Sequence, residues 1–115
     1  MMLPLNPQRV HLALGNTDMR KAINGLSIMV EQAMGLDPFS GDLFVFCNRS
    51  RSIIKILYWD TNGFAMWVKR LEKHQFKWPS APEEVILIGP RQLEWLLAGL
   101  DYTSAHKQLK YSAVA

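Results

Sequence analysis

One stretch, residues 53–79, constrains the fold more than any other part of this 115-residue chain. At its centre the polar tetrapeptide Asp60-Thr61-Asn62-Gly63 separates two runs that are rich in aromatic and β-branched residues. A short polar break that ends in glycine, between two such runs, is typical of a β-hairpin. Aromatic strands bury one face, and the cations interleaved with them require water or an anion. We therefore predict a β-ribbon of the kind that can contact nucleic acid.

Other β-favouring runs lie on either side of this ribbon. Residues 43–47 precede its two strands, which we place at 52–59 and 64–70. Because short turns connect the three runs, we expect consecutive antiparallel strands, which form a meander. Weak alternation at residues 10–14 and a β-branched apolar run at 85–88 indicate further strands.

A periodic stretch before the sheet predicts a long helix. Its apolar residues recur at helical spacing from Met19 to Ala33, with Thr17 or Asp18 as the N-cap and Gly35 as the left-handed residue that ends it. A second, short amphipathic helix is predicted near the C-terminus, at residues 90–99. The predicted fold class is α+β: an antiparallel β-meander sheet packed against one long N-terminal helix, with a short C-terminal helix.

Length and composition are those of one folded domain. Hydrophobic residues make up 49% and charged residues 20%, which excludes an intrinsically disordered chain. We expect a single domain over residues 9–102, a flexible N-terminal tail at 1–8 and a frayed C-terminal tail at 103–115. No apolar run is long enough to cross a bilayer, and the first residues do not resemble a signal peptide. A single cysteine excludes an internal disulfide and fits a reducing compartment.

The charge is distributed unevenly along the chain. Residues 49–77 contain seven Lys/Arg and two acids, a net charge of +5, whereas the remainder contains six basic and eight acidic residues, a net charge of −2. A basic middle segment indicates a polyanionic partner, and four to six phosphate contacts would make log K fall with log salt at a slope of roughly −4 to −5. The candidate nucleic-acid-binding residues are Arg49, Arg51, Lys55, Lys69, Arg70, Lys73 and Lys77.

Three further residues are secondary candidates. Arg20 and Lys21 fall in the first turn of the predicted long helix, where cations oppose the helix dipole. They are either paired with Asp18 or another carboxylate, or they extend the basic surface. Trp78 is the aromatic residue that we expect to be partly exposed, whereas the other aromatic side chains of the stretch are more often core residues. The alternative for the cations themselves is a solvated face that keeps an aromatic sheet soluble.

Patterns typical of enzymes are scarce. The three histidines are far apart and have no partner at zinc-ligand spacing, and Cys47 lies inside a predicted strand, where a buried thiol is expected. A two-metal site would require scattered carboxylates such as Asp18, Asp60 and Asp101 to converge. We therefore predict that the protein is not an enzyme and that it uses no cofactor, no metal and no small-molecule substrate.

A long series of short motifs resembles one bacterial family in both order and spacing. The motifs are Thr17-Asp18-Met19-Arg20-Lys21, Gly25-Leu26, Gly35-Leu36-Asp37-Pro38-Phe39-Ser40-Gly41, Leu43-Phe44-Val45-Phe46, Asn48-Arg49, Ile54-Lys55-Ile56-Leu57, Trp59-Asp60, Gly63-Phe64, Trp67, Lys69-Arg70-Leu71-Glu72-Lys73, Phe76 and Trp78-Pro79. They resemble the TnpB accessory protein, the second-reading-frame product of insertion-sequence-66 elements, over about residues 9–102. Two positions depart from the family pattern: Ser50 lies in a turn that is often more basic, and His74 lies where relatives commonly have glycine.

The resemblance implies a small accessory protein of DNA transposition, encoded beside a separate transposase and located in the bacterial cytoplasm near the nucleoid. The family is described as DNA-binding, with no established catalytic residues. We expect DNA to bind through the basic β-ribbon, with the element's transposase as a further partner and no membrane partner. The alternative is a protein-interaction adaptor for the transposase without direct DNA contact. A third possibility, a nuclease, would require metal-dependent cleavage.

Overall fold

A five-stranded sheet forms the centre of the protein in the computed structural model, which describes residues 9–101. The predicted tails at 1–8 and 103–115 lie outside the described residues. In the order β4-β3-β2-β1-β5, the strands are β1 (Val10–Ala13), β2 (Leu43–Cys47), β3 (Ile53–Asp60), β4 (Gly63–Arg70) and β5 (Val85–Ile88). The predicted meander is confirmed, because β2, β3 and β4 are consecutive, antiparallel and adjacent.

The prediction of a purely antiparallel sheet is wrong. Strand β1 lies between β2 and β5 and pairs with β2 in parallel, with Val10 opposite Leu43, and with β5 in antiparallel orientation. The chain leaves the end of β1, passes through a helix on one face and re-enters the sheet at the start of β2. A crossover of this kind makes neighbouring strands parallel. All four residues of β1 are buried, as expected for a central strand.

The central hairpin has the predicted position and a tighter turn. Asp60 pairs with Gly63, so that only Thr61 and Asn62 form the loop. Thr61 has φ +54°, a left-handed conformation that β-branched residues rarely adopt. Glycine therefore lies in the strand, and threonine takes the position with positive φ.

The predicted long helix is shorter than its apolar periodicity indicates. Helix α1 (Ile23–Ile28) continues directly into a π-helical segment, Met29–Ala33, and Gly35 with φ +66° ends it as predicted. Residues 19–22 are not helical, and the N-cap residue is the extended Ala22, which makes no side-chain cap hydrogen bond. The prediction of a long N-terminal helix is therefore wrong.

The two predicted N-cap residues make other contacts. The Thr17 amide donates to the carbonyl of Cys47 at 2.9 Å, and the Asp18 carboxylate binds Arg20. The second helix agrees with the prediction: α2 (Pro90–Leu97) begins at proline, and Gly99 follows it with φ +82°.

The two faces of the sheet form two parts of the core. Strand residues such as Ile54 and Ile56 pack on one face against α2 and Phe76, which is 2% exposed. On the other face, Phe46 and Leu57 pack against Leu26 and Val30 of α1 and the π-helical segment. With both faces packed, the segments that connect the strands lie at the two ends of the sheet. We call them the basic end, formed by segments 14–22, 48–52 and 71–84, and the hairpin end, formed by segments 34–42 and 61–62.

Candidate nucleic-acid interface

The turn between β2 and β3 is held in one conformation by the side chain of Asn48. Its Oδ1 accepts hydrogen bonds from the backbone amides of Ser52 and Ile53, at 2.9 and 3.0 Å. Its Nδ2 donates to the hydroxyls of Ser50 and Ser52, both at 3.1 Å. Arg51 has φ +59°, so that the backbone reverses sharply here. Residues 48–52 therefore form an ordered turn at the basic end.

The segment after β4 is docked against this turn. Phe76 is buried, and its amide donates to the carbonyl of Arg51 at 2.7 Å. The Gln75 side-chain amide donates to the carbonyl of Ser50 at 2.9 Å. These two bonds bring Lys73 and Lys77, two residues on either side of Gln75, to the same part of the surface as the turn.

Four of the seven predicted cations belong to this turn and to the segment docked on it, and we call them the open basic patch: Arg49, Arg51, Lys73 and Lys77. Within residues 9–101, the side chains of Arg49, Lys73 and Lys77 are exposed and have no hydrogen-bond or ion-pair partner. Arg51 is half-buried, donates to the Asn48 carbonyl at 3.2 Å and has its guanidinium carbon 6.0 Å from the centre of the Trp78 ring. The patch therefore offers cations whose charge is not neutralised by neighbouring acids.

The structure does not bring the other three predicted cations into that patch. Directly opposed residues of antiparallel strands share a face, and successive residues alternate. Lys55 lies opposite Val68, whereas Lys69 lies opposite Ile54, so the two lysines lie on opposite faces of the sheet. Arg70 is an exposed partner of Glu72, at 3.1 Å, a geometry that contributes little in water.

Lys55 and Lys69 instead bind backbone carbonyls. The Lys55 ammonium donates to the carbonyls of Met19 and Lys21, at 2.7 and 3.0 Å, and fixes the non-helical segment before α1. The Lys69 ammonium donates to the Leu97 carbonyl at 2.8 Å, at the C-terminus of α2, where a cation is favoured by the helix dipole. Lys55 therefore fixes the segment that leads into α1, and Lys69 fixes the end of α2 against the sheet.

The secondary candidates also lie at the basic end. Arg20 makes a bidentate pair with Asp18, with contacts of 2.7–3.1 Å, and these hydrogen bonds lower the pKa of the Asp18 carboxyl to about 2. Pairing with Asp18, one of the two explanations that the sequence allowed, is thus confirmed for Arg20. Lys21 is exposed, and neither residue is inside a helix, so the expected conflict with the helix dipole does not arise.

Trp78 forms one wall of a cleft that the sequence did not predict. The cleft has a volume of about 480 Å³ and lies between Arg51, the end of the π-helical segment and residues 78–85. Met29 and Ala33 also line it. The indole Nε1 of Trp78 donates to the Leu14 carbonyl at 3.2 Å, which fixes the ring. The only sequence signal was the position of Trp78 beside a proline and a lysine.

A second unpredicted feature is an aromatic cluster near the hairpin end. The rings of Phe39, Trp59 and Phe64 have centroid separations of 5.1–5.2 Å, in edge-to-face and tilted arrangements. Phe39 is 56% exposed. Within the central stretch, the expectation that most aromatic residues belong to the core holds for Phe76 and for Trp67, which packs partly buried against it.

Groups with catalytic or metal-binding potential do not assemble among residues 9–101. Cys47 is fully buried, as expected, and burial raises the pKa of its thiol. His11 lies 2.8 Å from the Asp42 carboxylate and stacks on Phe44. In this part of the chain no three His, Cys, Asp or Glu side chains are placed to hold a metal ion, and no helix is long and apolar enough to span a membrane.

Comparisons with known proteins agree with the motif resemblance. The chain is 42% identical over 102 residues to the uncharacterized protein y4hO of Sinorhizobium fredii, covering 88% of this chain and 89% of the relative. It is 32% identical over 108 residues to the uncharacterized protein y4jC of the same organism, covering 94% and 92%. No solved structure matches the chain. The family model TnpB_IS66, described as IS66 Orf2 like protein, matches residues 8–107, and the chain therefore belongs to this family of transposition-associated accessory proteins.

Proposed function

We propose that this protein is a non-catalytic accessory factor that holds DNA on the open basic patch during transposition of its element. The observation that carries the proposal is the docking of residues 75 and 76 on the 48–52 turn, which unites partner-free cations from two segments. Family membership supplies the connection with transposition. Association with the nucleoid would follow from DNA binding.

The geometry of the patch suits phosphate recognition. Its cations are on an ordered turn and a docked segment, so little backbone freedom is lost when a phosphate binds. Two cations on neighbouring segments fit a strand of phosphates better than two on opposite faces, because the duplex presents its phosphates along one surface. The patch therefore favours DNA over small anions.

The structure lowers the number of phosphate contacts expected. Lys55 and Lys69 bind carbonyls on the two faces of the sheet, and Arg70 pairs with Glu72, which leaves the four residues of the patch. Arg51 also donates to a carbonyl, through Nη1, but its guanidinium has further N–H donors. With about −0.9 per phosphate contact on duplex DNA, log K should fall with log salt at a slope of about −3.6. This is shallower than the slope of roughly −4 to −5 expected from the sequence.

The test compares two double variants with the same change in net charge. Arg49→Ala/Lys77→Ala removes two cations of the patch, and Arg9→Ala/Arg91→Ala removes two exposed cations from the far ends of β1 and α2. Fluorescence anisotropy with a labelled duplex across a salt series measures affinity and slope. We expect the patch variant to reduce the slope by about 1.8 and the control variant to leave it unchanged.

Two results would contradict the proposal. Equal slopes and affinities for the two variants would mean that net charge alone attracts DNA, without a defined surface. Absence of duplex binding by the wild-type protein at low salt would refute the proposal that the protein holds DNA.

The aromatic cluster favours a second candidate function, that of an adaptor for the element's transposase. Phe39 is exposed beside two further aromatic rings, an arrangement that can anchor a protein partner, and Asp37 and Asp60 are close to the cluster along the chain. These charges suit a transposase segment that combines apolar and basic residues. Phe39→Ser should abolish capture of the purified transposase at high salt, while Ile28→Ser, at a similarly exposed apolar residue of α1, should not. Equal capture by both variants would exclude the cluster as the docking surface.

A further inference from the structure

The cleft beside the open basic patch has the dimensions of a small-ligand site. Its volume of about 480 Å³ lies within the range of about 300–1,000 Å³ that is typical of pockets for organic ligands. Arg51 belongs to both the patch and the cleft lining. A strand of nucleic acid held on the patch would therefore pass the mouth of the cleft.

The cleft contains a fixed aromatic surface. Trp78 is held by its bond to the Leu14 carbonyl and is followed by Pro79, which also lines the cleft. An indole that is already ordered loses little conformational entropy when a planar group stacks on it. Stacking of a base on an aromatic side chain contributes about 1–3 kcal/mol to the binding of unpaired nucleic acid.

Another part of the lining is apolar and belongs to the π-helical segment and the residue that follows it. The Met34 amide donates to the Met29 carbonyl at 3.0 Å, which is the wide i to i+5 hydrogen bond of a π-helix. Met29, Ala33 and Met34 all line the cleft. Short π-helical turns are found frequently at functional sites, where they displace side chains from a regular helical position. An apolar lining of this kind beside an indole suits a flat, weakly polar ring.

The cleft is lined by one cationic side chain and by two carboxylates. Arg51 provides the cation, and Glu83 and Glu84 line the cleft as exposed carboxylates without an ion-pair partner among residues 9–101. The Leu14 amide donates to the Glu84 carbonyl at 2.9 Å, which fixes this segment beside the end of β1. Carboxylates accept hydrogen bonds from exocyclic amino groups of bases and repel phosphates. This polarity orients a nucleotide with its phosphate at Arg51 and its amino group at the glutamates.

We propose that the cleft binds one unpaired nucleotide whose base carries an exocyclic amino group. The base stacks on Trp78, its phosphate contacts Arg51, and its amino group donates to Glu83 or Glu84. This inference rests on the proposed function, because the patch must hold the strand that supplies the nucleotide. It adds a preference for unpaired DNA with cytosine over thymine, since thymine has no amino group.

The test uses a variant that fills the cleft and a matched control. Ala33→Phe places a large ring in the cleft from an exposed position, whereas Gln32→Phe adds the same ring at the preceding exposed residue outside the lining. Binding of labelled oligo(dC), oligo(dT) and a duplex of equal length is measured by anisotropy. Wild type should bind oligo(dC) about tenfold more tightly than oligo(dT). Ala33→Phe should weaken binding of both oligonucleotides about tenfold and leave duplex affinity unchanged, and Gln32→Phe should change nothing.

A second variant tests the base preference directly. Glu83→Ala/Glu84→Ala should bring the ratio of the oligo(dC) affinity to the oligo(dT) affinity close to one. The loss of two negative charges raises both affinities alike, so the ratio is independent of that general gain. Equal wild-type affinity for the two oligonucleotides, or equal effects of the two phenylalanine variants, would overturn the inference. If duplex binding still depended on Arg49 and Lys77, the proposed function would survive that result. If the wild-type protein bound no DNA of any kind, both the proposed function and the inference about the cleft would be refuted.

Discussion

Replacing Asn48 by alanine tests whether one side chain organises the basic end. In Asn48→Ala the backbone amides of Ser52 and Ile53 lose their acceptor, and the hydroxyls of Ser50 and Ser52 lose a donor. The turn would then keep only its backbone bonds, including that from the Arg51 amide to the carbonyl of residue 48. We expect loss of stability and a less ordered patch.

The size of the effect follows from the hydrogen bonds that are lost. Each bond to a backbone amide contributes about 0.5–1.5 kcal/mol net, so two give about 2 kcal/mol of unfolding free energy. The two hydroxyls are at the surface and can bind water instead, so they add little. For a domain of this size, about 2 kcal/mol corresponds to a decrease in Tm of about 8 °C.

Urea denaturation followed by tryptophan fluorescence measures the change. The midpoint should fall while the m-value stays constant, because the folded core is unaltered. Ser50→Ala is the matched control; it removes only exposed hydroxyl contacts and should change stability by less than about 0.5 kcal/mol. Asn48→Asp keeps both acceptor bonds and should retain most of the stability, yet weaken DNA binding through its negative charge. Equal midpoints for Asn48→Ala and Ser50→Ala would refute the role assigned to this side chain.

Three further predictions concern backbone strain, helix docking and pH. His74→Gly should raise the free energy of unfolding by about 0.5 kcal/mol, because relief of the strain at φ +67° exceeds the entropic cost of glycine; His74→Ala, which keeps the strain, should give no gain in the same urea titration. Lys69→Met should lower stability by about 1 kcal/mol through loss of the bond to the Leu97 carbonyl, with the salt slope of DNA binding unchanged; a fall in the slope would return this lysine to the DNA-binding surface. The pKa of Asp18 is lowered to about 2 from the ordinary 3.8, so its pair with Arg20 stabilises the folded state above about pH 4, and this contribution is lost as the pH falls towards 2. Asp18→Asn should lack that part of the pH dependence in acid unfolding, and parallel profiles for wild type and variant would contradict it.

Most strands could be predicted from local composition, whereas their pairing required long-range information. The run Leu43–Cys47 and the hairpin arms have β-branched and aromatic residues that favour strands in any context. The parallel pairing of β1 with β2 depends on a crossover through α1, which no local pattern records. The start of α1 was missed for a similar reason. Lys55, more than thirty residues away, binds the carbonyls of Met19 and Lys21, and this contact stabilises a non-helical segment that the periodicity assigned to the helix.

The candidate surface was predictable in part. The assignment of Lys55 and Lys69 to one surface was an avoidable error. The exposure of Arg49 follows from a tight turn, since turn side chains project away from the sheet. The predicted strand ends already implied that residues 59 and 64 face each other, which places Lys55 and Lys69 on opposite faces by alternation alone. The cleft was not predictable, because it is formed by four segments brought together only in the folded chain. The positive φ of His74 explains in physical terms why glycine suits that position.

The two proposed surfaces are far enough apart to act independently. Strand β3 has eight residues, and at about 3.4 Å per residue it separates the basic end from the hairpin end by roughly 24 Å. Charges at that distance are screened at physiological salt, where the Debye length is about 8 Å. DNA on the open basic patch would therefore leave the aromatic cluster at Phe39 accessible to a protein partner. If both proposals hold, Arg49→Ala/Lys77→Ala should retain transposase capture and Phe39→Ser should retain DNA affinity, so that each surface can be removed without the other.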